Sequence, residues 1–229
     1  MTSWLADFWR RKKRAIVGRL IVYPLLLGGV AGALLYMTSM PGKSFSGALP
    51  PLTNEQRATQ DALWADVQGI SGAIGERNLE HKEALARAKE YVETSLREAG
   101  YDVHGEDYTV RGATATNVVA TLAGTTNEIV VVGAHYDTVP DSPGADDNTS
   151  GVAAMLELAR SFAKDKPRKT LRFVAFANEE PPYFWSNSMG SLVYARACAA
   201  RHDRIVAMLS LETIAYYRDD KGSQHYPFP

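Results

Sequence analysis

The chain has 229 residues, 45% hydrophobic and 22% charged, which excludes a disordered or fibrous polymer. A formal net charge of −1 makes no global case for binding nucleic acid. One cysteine, Cys198, excludes an internal disulfide framework and a cysteine-rich zinc site, so any metal must be held by carboxylates and imidazoles.

The charge is unevenly placed. Residues 1–19 form a basic segment with Arg10, Arg11, Lys12, Lys13, Arg14 and Arg19 against Asp7 alone, which leaves the remaining 210 residues at net −6. Residues 20–37 (LIVYPLLLGGVAGALLYM) then run eighteen positions without a charge. That is about the length a helix needs to cross the hydrocarbon layer. Basic clusters stay on the cytoplasmic side, so the chain after Met37 is expected outside the cytoplasm, in the periplasm if the source is bacterial. A cleaved signal peptide is the rival reading, but its apolar core is usually only about 7–15 residues. An uncleaved, single-pass anchor is therefore favoured. Residues 38–52 are rich in Pro, Gly and Ser and read as a linker. Residues 53–229 form the remaining domain.

Thr53-Asn-Glu-Gln56 has the form of a capping box, followed by Leu63, Val67 and Ile70 at helical spacing. A second helix is predicted over 80–99, with Leu85, Ala88, Val92, Leu96 and Ala99 on one face and Gly100 as its stop. Strands are predicted over 106–110, 116–122 and 128–134, with Gly124 to Asn127 as a hairpin between the last two. The run 128–134 is nearly all apolar, as in a strand buried on both faces. A helix over 149–163, a strand over 171–177, a helix over 189–199 and a strand over 205–211 complete the order. This alternation predicts an α/β domain with a mixed, mostly parallel central sheet and helices on both faces.

Each of the last three apolar strands ends in polar residues: His135-Tyr136-Asp137, then Asn178-Glu179-Glu180, then Glu212-Thr213. Asp146-Asp147 lies in the loop before the helix at Thr149. In open α/β sheets, ligands bind beyond the carboxyl ends of the strands. One histidine and up to six carboxylates therefore converge on one rim. Crowded carboxylates must take up protons, stay wet or neutralise a cation. Arg172 and Lys169 lie at the far end of their strand, so a divalent metal explains the pattern best. An imidazole and carboxylate set suits zinc, manganese or cobalt. His135 and Asp137 project to one side of an extended segment, where Asp137 could fix the imidazole tautomer. An aspartate in the 144–151 loop could bridge two metals. Pro181 biases Glu180 toward an extended backbone, so the adjacent Glu179 and Glu180 carboxylates point different ways. His81, His104, His202 and His225 have no comparable context and read as surface histidines.

The motifs GAHYDT (133–138), GADDNTSG (144–151), NEEPP (178–182) and SLETIAYY (210–217) resemble those of the M28 peptidase family, co-catalytic dizinc aminopeptidases. GERN (75–78) and MGSLVYA (189–195) add to the likeness, which runs from about residue 74 to the end of the chain. The resemblance implies a zinc-aminopeptidase fold of the phosphorylase/hydrolase-like type and two zinc ions. It implies that His135 binds one zinc with Asp137 behind it, that Asp146 bridges both, that Glu180 binds the second and that Glu212 completes the first. Glu179 would be the general base. A cis peptide would follow the bridging aspartate, at Asp146–Asp147. The family's further histidine ligand lies downstream of the SLET-like motif, beyond Pro229, and His225 comes too early to match it. About the last third of the family domain is therefore expected to be absent from these residues, which leaves activity of this chain open.

The activity implied is hydrolysis of N-terminal peptide bonds in peptides with a free amino terminus, at a membrane anchored by the first helix. Two alternatives belong to other classes. One is a glutaminyl cyclase, which shares the fold but uses one zinc. The other is a membrane-anchored peptidase-like domain without catalysis.

Overall fold

The computed structural model describes residues 2–39 and 47–217. One unit holds the N-terminal helix and the other is Pro51–Tyr217. In the first, α1 runs Thr2–Thr38 and contains Pro24. It is longer than the charge-free stretch because the basic segment continues the same helix. Its apolar part, Ile16–Thr38, spans 23 residues with mean hydropathy 2.0, and none of it is buried. At ~1.5 Å per residue that length exceeds the hydrocarbon core of a bilayer. It passes the length and composition test for a membrane span, as a signal sequence near an N-terminus also does.

In the second unit the elements are α2 (Asn54–Val67), α3 (Lys82–Glu98), β1 (Val103–Val110), β2 (Ala113–Leu122), β3 (Glu128–His135), α4 (Gly151–Phe162), β4 (Thr170–Phe176), α5 (Gly190–Ala200) and β5 (Arg204–Ser210). The capping box forms as expected: the Gln56 backbone N–H donates to the Thr53 hydroxyl, and the Thr53 N–H donates to the Gln56 side chain. In α3 the expected inner face, Leu85, Ala88, Val92 and Leu96, is buried.

The sheet is mixed, in the order β1-β2-β4-β3-β5. β4, β3 and β5 run parallel to one another, whereas β1-β2 and β2-β4 are antiparallel. The hairpin expected between β2 and β3 does not form, because β4 lies between them. The 124–127 loop instead donates from Thr125 and Thr126 to the carbonyls of Pro167 and Arg168, ahead of β4. An apolar strand such as β3 hides its backbone best between two neighbours, and β4 and β5 supply them. The actual hairpin joins β1 to β2 through Arg111 and Gly112, with φ of 48° and 79°. Positive φ at both central residues suits a two-residue turn that follows the strand twist.

Helices cover both faces. On one, α3 and α4 enclose a core with Leu96, Met155, Leu156, Phe173 and Val118. There the Tyr101 and Phe173 rings meet edge to face at 5.6 Å. On the other, Tyr194 and Cys198 of α5 pack over Val119, Val131, Val174 and Phe176. Each fully buried side chain of this kind contributes about 1.5–3 kcal/mol. This packing fixes the carboxyl ends of β3, β4 and β5 side by side.

Candidate metal centre

His135 is the last residue of β3 and is 2% exposed. Its Nε2 lies 3.1 Å from Oδ1 of Asp147, 3.1 Å from Oε1 of Glu212 and 3.8 Å from Oε2 of Glu179. Its Nδ1 lies 3.5 Å from Oδ1 of Asp137, long for a hydrogen bond, and has no other partner among the described residues. The two oxygens of Asp137 accept from the backbone N–H groups of Glu179 (3.0 Å) and Glu180 (3.1 Å). Asp137 thereby ties the end of β3 to the end of β4. Glu180 is buried, and its Oε1 has no hydrogen-bond partner among the described residues. Glu179 is more open, with its side chain 27% exposed.

Two groups of candidate ligand atoms result: His135, Asp147 and Glu212, and His135, Glu179 and Glu180, each within 4.8 Å of one another. Four of the six expected residues therefore enter these groups, and Asp137 stands behind His135. Asp146 does not enter them. Its carboxylate turns away and accepts from the backbone N–H of Ala215 at 3.0 Å. The next residue, Asp147, takes the place at His135, and the cis peptide is likewise one residue later, at Asp147–Asn148. Adjacent side chains on this loop diverge, so only one of the pair can face the histidine. His225 lies outside the described residues.

The electrostatics are those of anions short of a cation. Burial alone would lower the His135 pKa, but Asp137 and Glu212 outweigh it and push it up to about 11. Burial, with Asp147 close by, pushes Glu180 up to about 7. Burial also raises Asp147, opposed by His135 and reinforced by Glu212. Glu179 is raised by burial in the same way. Arg172 and Lys169 sit at the far end of their strand, as expected, where Arg172 pairs with Asp203 at 2.6 Å and Lys169 pairs with Glu128. One nearby cation was not anticipated. Arg77 is fully buried, but its donors go to backbone carbonyls and the Thr149 hydroxyl rather than to the acids. The residues fit a divalent cation. An unpartnered buried carboxylate oxygen and one imidazole nitrogen facing three carboxylates form a donor set that one shared proton cannot satisfy.

Two further residues build the site. Asn148, fully buried, donates to the Leu211 carbonyl (2.8 Å) and accepts from the Gly151 and Thr213 N–H groups. It clamps the Asp147 loop to the segment carrying Glu212. Asn117 accepts from the Ala177 N–H and donates to the Gly190 carbonyl, closing the loop that follows Glu179 and Glu180. No spacing rule points to either residue; both lie inside runs that read as strand or helix cap.

Residues 117–227 match the model of Peptidase family M28. The uncharacterized protein YfbL of Escherichia coli (strain K12) is 35% identical over 190 residues, 80% of this chain and 57% of YfbL. Aminopeptidase YwaD of Bacillus subtilis (strain 168) is 55% identical over 53 residues, 23% of this chain and 12% of that protein. The chain thus spans little more than half of the first relative and far less of the second. Among solved structures, the zinc aminopeptidase BSAP of Bacillus subtilis has TM-score 0.60 at 15% identity, over 67% of this chain and 69% of that one. The glutaminyl cyclase of Macrostomum lignano has TM-score 0.58 at 24% identity, over 75% and 60%. These two show the fold. Through the domain that carries the acidic cluster, the chain belongs to Peptidase family M28.

Proposed function

We propose that the protein is a membrane-anchored, zinc-dependent aminopeptidase acting on peptides with a free amino terminus. The observation that carries this reading is the meeting of His135, Asp147 and Glu212 beside the unpartnered oxygen of Glu180. His135 and Glu212 would hold one zinc, Glu180 the second, and Asp147 rather than Asp146 would bridge them. Zinc held there would supply Lewis-acid chemistry, a bound water with pKa of about 7 and a polarised carbonyl. Asp137, at 3.5 Å from Nδ1, orients the imidazole and holds the glutamate-bearing loop by its backbone. Glu179, the more open of the paired glutamates, takes a proton from water and returns it to the leaving amine. Its raised pKa suits a group that must hold that proton between the two events. The net −6 of the chain after residue 19 agrees with cationic amino termini as ligands. The basic residues before the apolar helix support a cytoplasmic position for that segment and an extracytoplasmic one for the peptidase domain.

The test is Glu179→Gln in the full chain. It should keep bound zinc yet lose about 10²–10⁴ in turnover of aminoacyl anilides. Unchanged turnover would remove Glu179 as the base. The cyclase fold neighbour supports a second reading, in which peptides with N-terminal glutamine release ammonia rather than a free amino acid. Assaying both products on one such peptide separates the two.

A further inference from the structure

The GERN motif (75–78) contributes no atom to either group of candidate ligands. Its arginine is 0% exposed, one of the largest fully buried side chains among the described residues. Burying a guanidinium costs free energy unless every donor is used. Arg77 uses all of them, and all but one on a single loop. Nε donates to the Tyr136 carbonyl (2.6 Å). Nη1 donates to the carbonyls of Gly75 (3.0 Å) and Pro143 (2.7 Å). Nη2 donates to the Gly144 carbonyl (3.3 Å) and the Thr149 hydroxyl (2.7 Å). Its backbone joins in: the Arg77 N–H donates to the Thr138 hydroxyl, and the Thr138 N–H donates to the Arg77 carbonyl. The motif's other side chains repeat the pattern, with Glu76 accepting from the Asp141 N–H and Asn78 donating to the Thr138 carbonyl.

Each of these bonds but the one to Gly75 ends in the stretch 136–149. That stretch leaves β3 just after His135, carries Asp137 at its start, and carries Asp147 just before it enters α4. Gly144, at φ 58°, makes room for the fork: a Cβ there would strike the Thr138 side chain and the Asp147 carbonyl and press on Arg77 Nη2. These bonds hold both ends of the loop to one rigid side chain. An arginine suits the task because its planar fork directs donors outward at set angles, which an ammonium cannot do.

We propose that Arg77 is the positioning residue of the metal centre: it fixes the spacing between His135 and Asp147 by gathering both ends of the connecting loop. This rests on the metal reading above and goes beyond it, since Arg77 touches none of the proposed ligands.

The experiment uses the full chain in detergent micelles, with Arg77→Lys and Arg77→Ala. Zinc affinity is read by competition with a chromophoric chelator, and backbone amide exchange is read on the metal-stripped protein. Both variants should bind zinc roughly 10–100-fold more weakly, the usual range for groups behind a ligand. Guanidinium ion, but not methylammonium, should restore affinity to Arg77→Ala. Exchange at the Thr138 and Thr149 amides should quicken, while Val119 and Phe173 in the sheet stay protected. Unchanged zinc affinity in Arg77→Lys would overturn the proposal, as would equal acceleration at all four amides, which marks a general stability role. If wild-type protein takes up no zinc, the metal reading fails and the role given to Arg77 fails with it. If wild type binds zinc and Arg77→Lys binds it equally, only the role of Arg77 falls.

Discussion

At the scale of single residues, the centre turns on what a nearly inaccessible imidazole can do among acids. His135 Nε2 carries at most one hydrogen and faces three carboxylates, so protonation cannot satisfy them all. The placement of Asp147 rather than Asp146 makes a sharp forecast. Asp147→Asn should lose most bound zinc, whereas Asp146→Asn, which alters only an acceptor for the Ala215 N–H, should retain it. Elemental analysis of the two purified variants checks this, and the reverse order would restore the first aspartate as the ligand. Glu180 offers a second forecast. Burial lifts its pKa in the folded, metal-stripped protein to about 7 from the ordinary carboxyl value of about 4.5. The fold therefore favours its protonated form, and that contribution is complete below about 4.5. It is lost as pH rises through about 7. Denaturant unfolding at pH 4.5 and 7.5 should show a smaller drop for Glu180→Gln than for wild type, and added zinc should erase the difference. Equal drops would mean that the carboxyl is not held neutral.

At the scale of elements, most of the framework was legible because it depends on periodicity. The inner face of α3 and the box at Thr53 were readable from side-chain spacing and cap chemistry alone. The three apolar strands with polar ends gave the rim. Pairing was not legible in the same way, since strand neighbours are chosen by burial across the whole sheet. The 124–127 loop looked like a hairpin and is not, and the Arg111-Gly112 turn was missed because only glycine signals positive φ from sequence. That Asp147 rather than Asp146 lies beside His135 was hidden for a related reason: a loop outside regular structure has no side-chain period. Arg77 and Asn148 were invisible as site builders because most of their partners are backbone groups far along the chain, 59 to 67 positions away for Arg77 and 63 to 65 for Asn148. Asn148→Ala should show what the clamp contributes. It strands the Leu211 carbonyl and the Gly151 and Thr213 N–H groups, so stability should fall by roughly 1–3 kcal/mol per buried group left unmet by water. Urea unfolding reads this, and a change below about 0.5 kcal/mol would mean that the two loops hold without it.

Across the whole molecule, charge and apolar surface are divided along the sequence. A basic segment and an apolar helix come first, and a net-acidic domain bearing the candidate site follows. Kinship with Peptidase family M28 gives this domain its class, and the rim of β3, β4 and β5 gives it a place for the chemistry. Everything proposed for that rim depends on divalent ions among its acids. Diffraction from zinc-soaked crystals of the full chain, collected on both sides of the zinc absorption edge, tests this most directly. The account predicts an anomalous peak bounded by His135, Asp147 and Glu212. A clean map with no peak at that rim, at full zinc saturation, would contradict it.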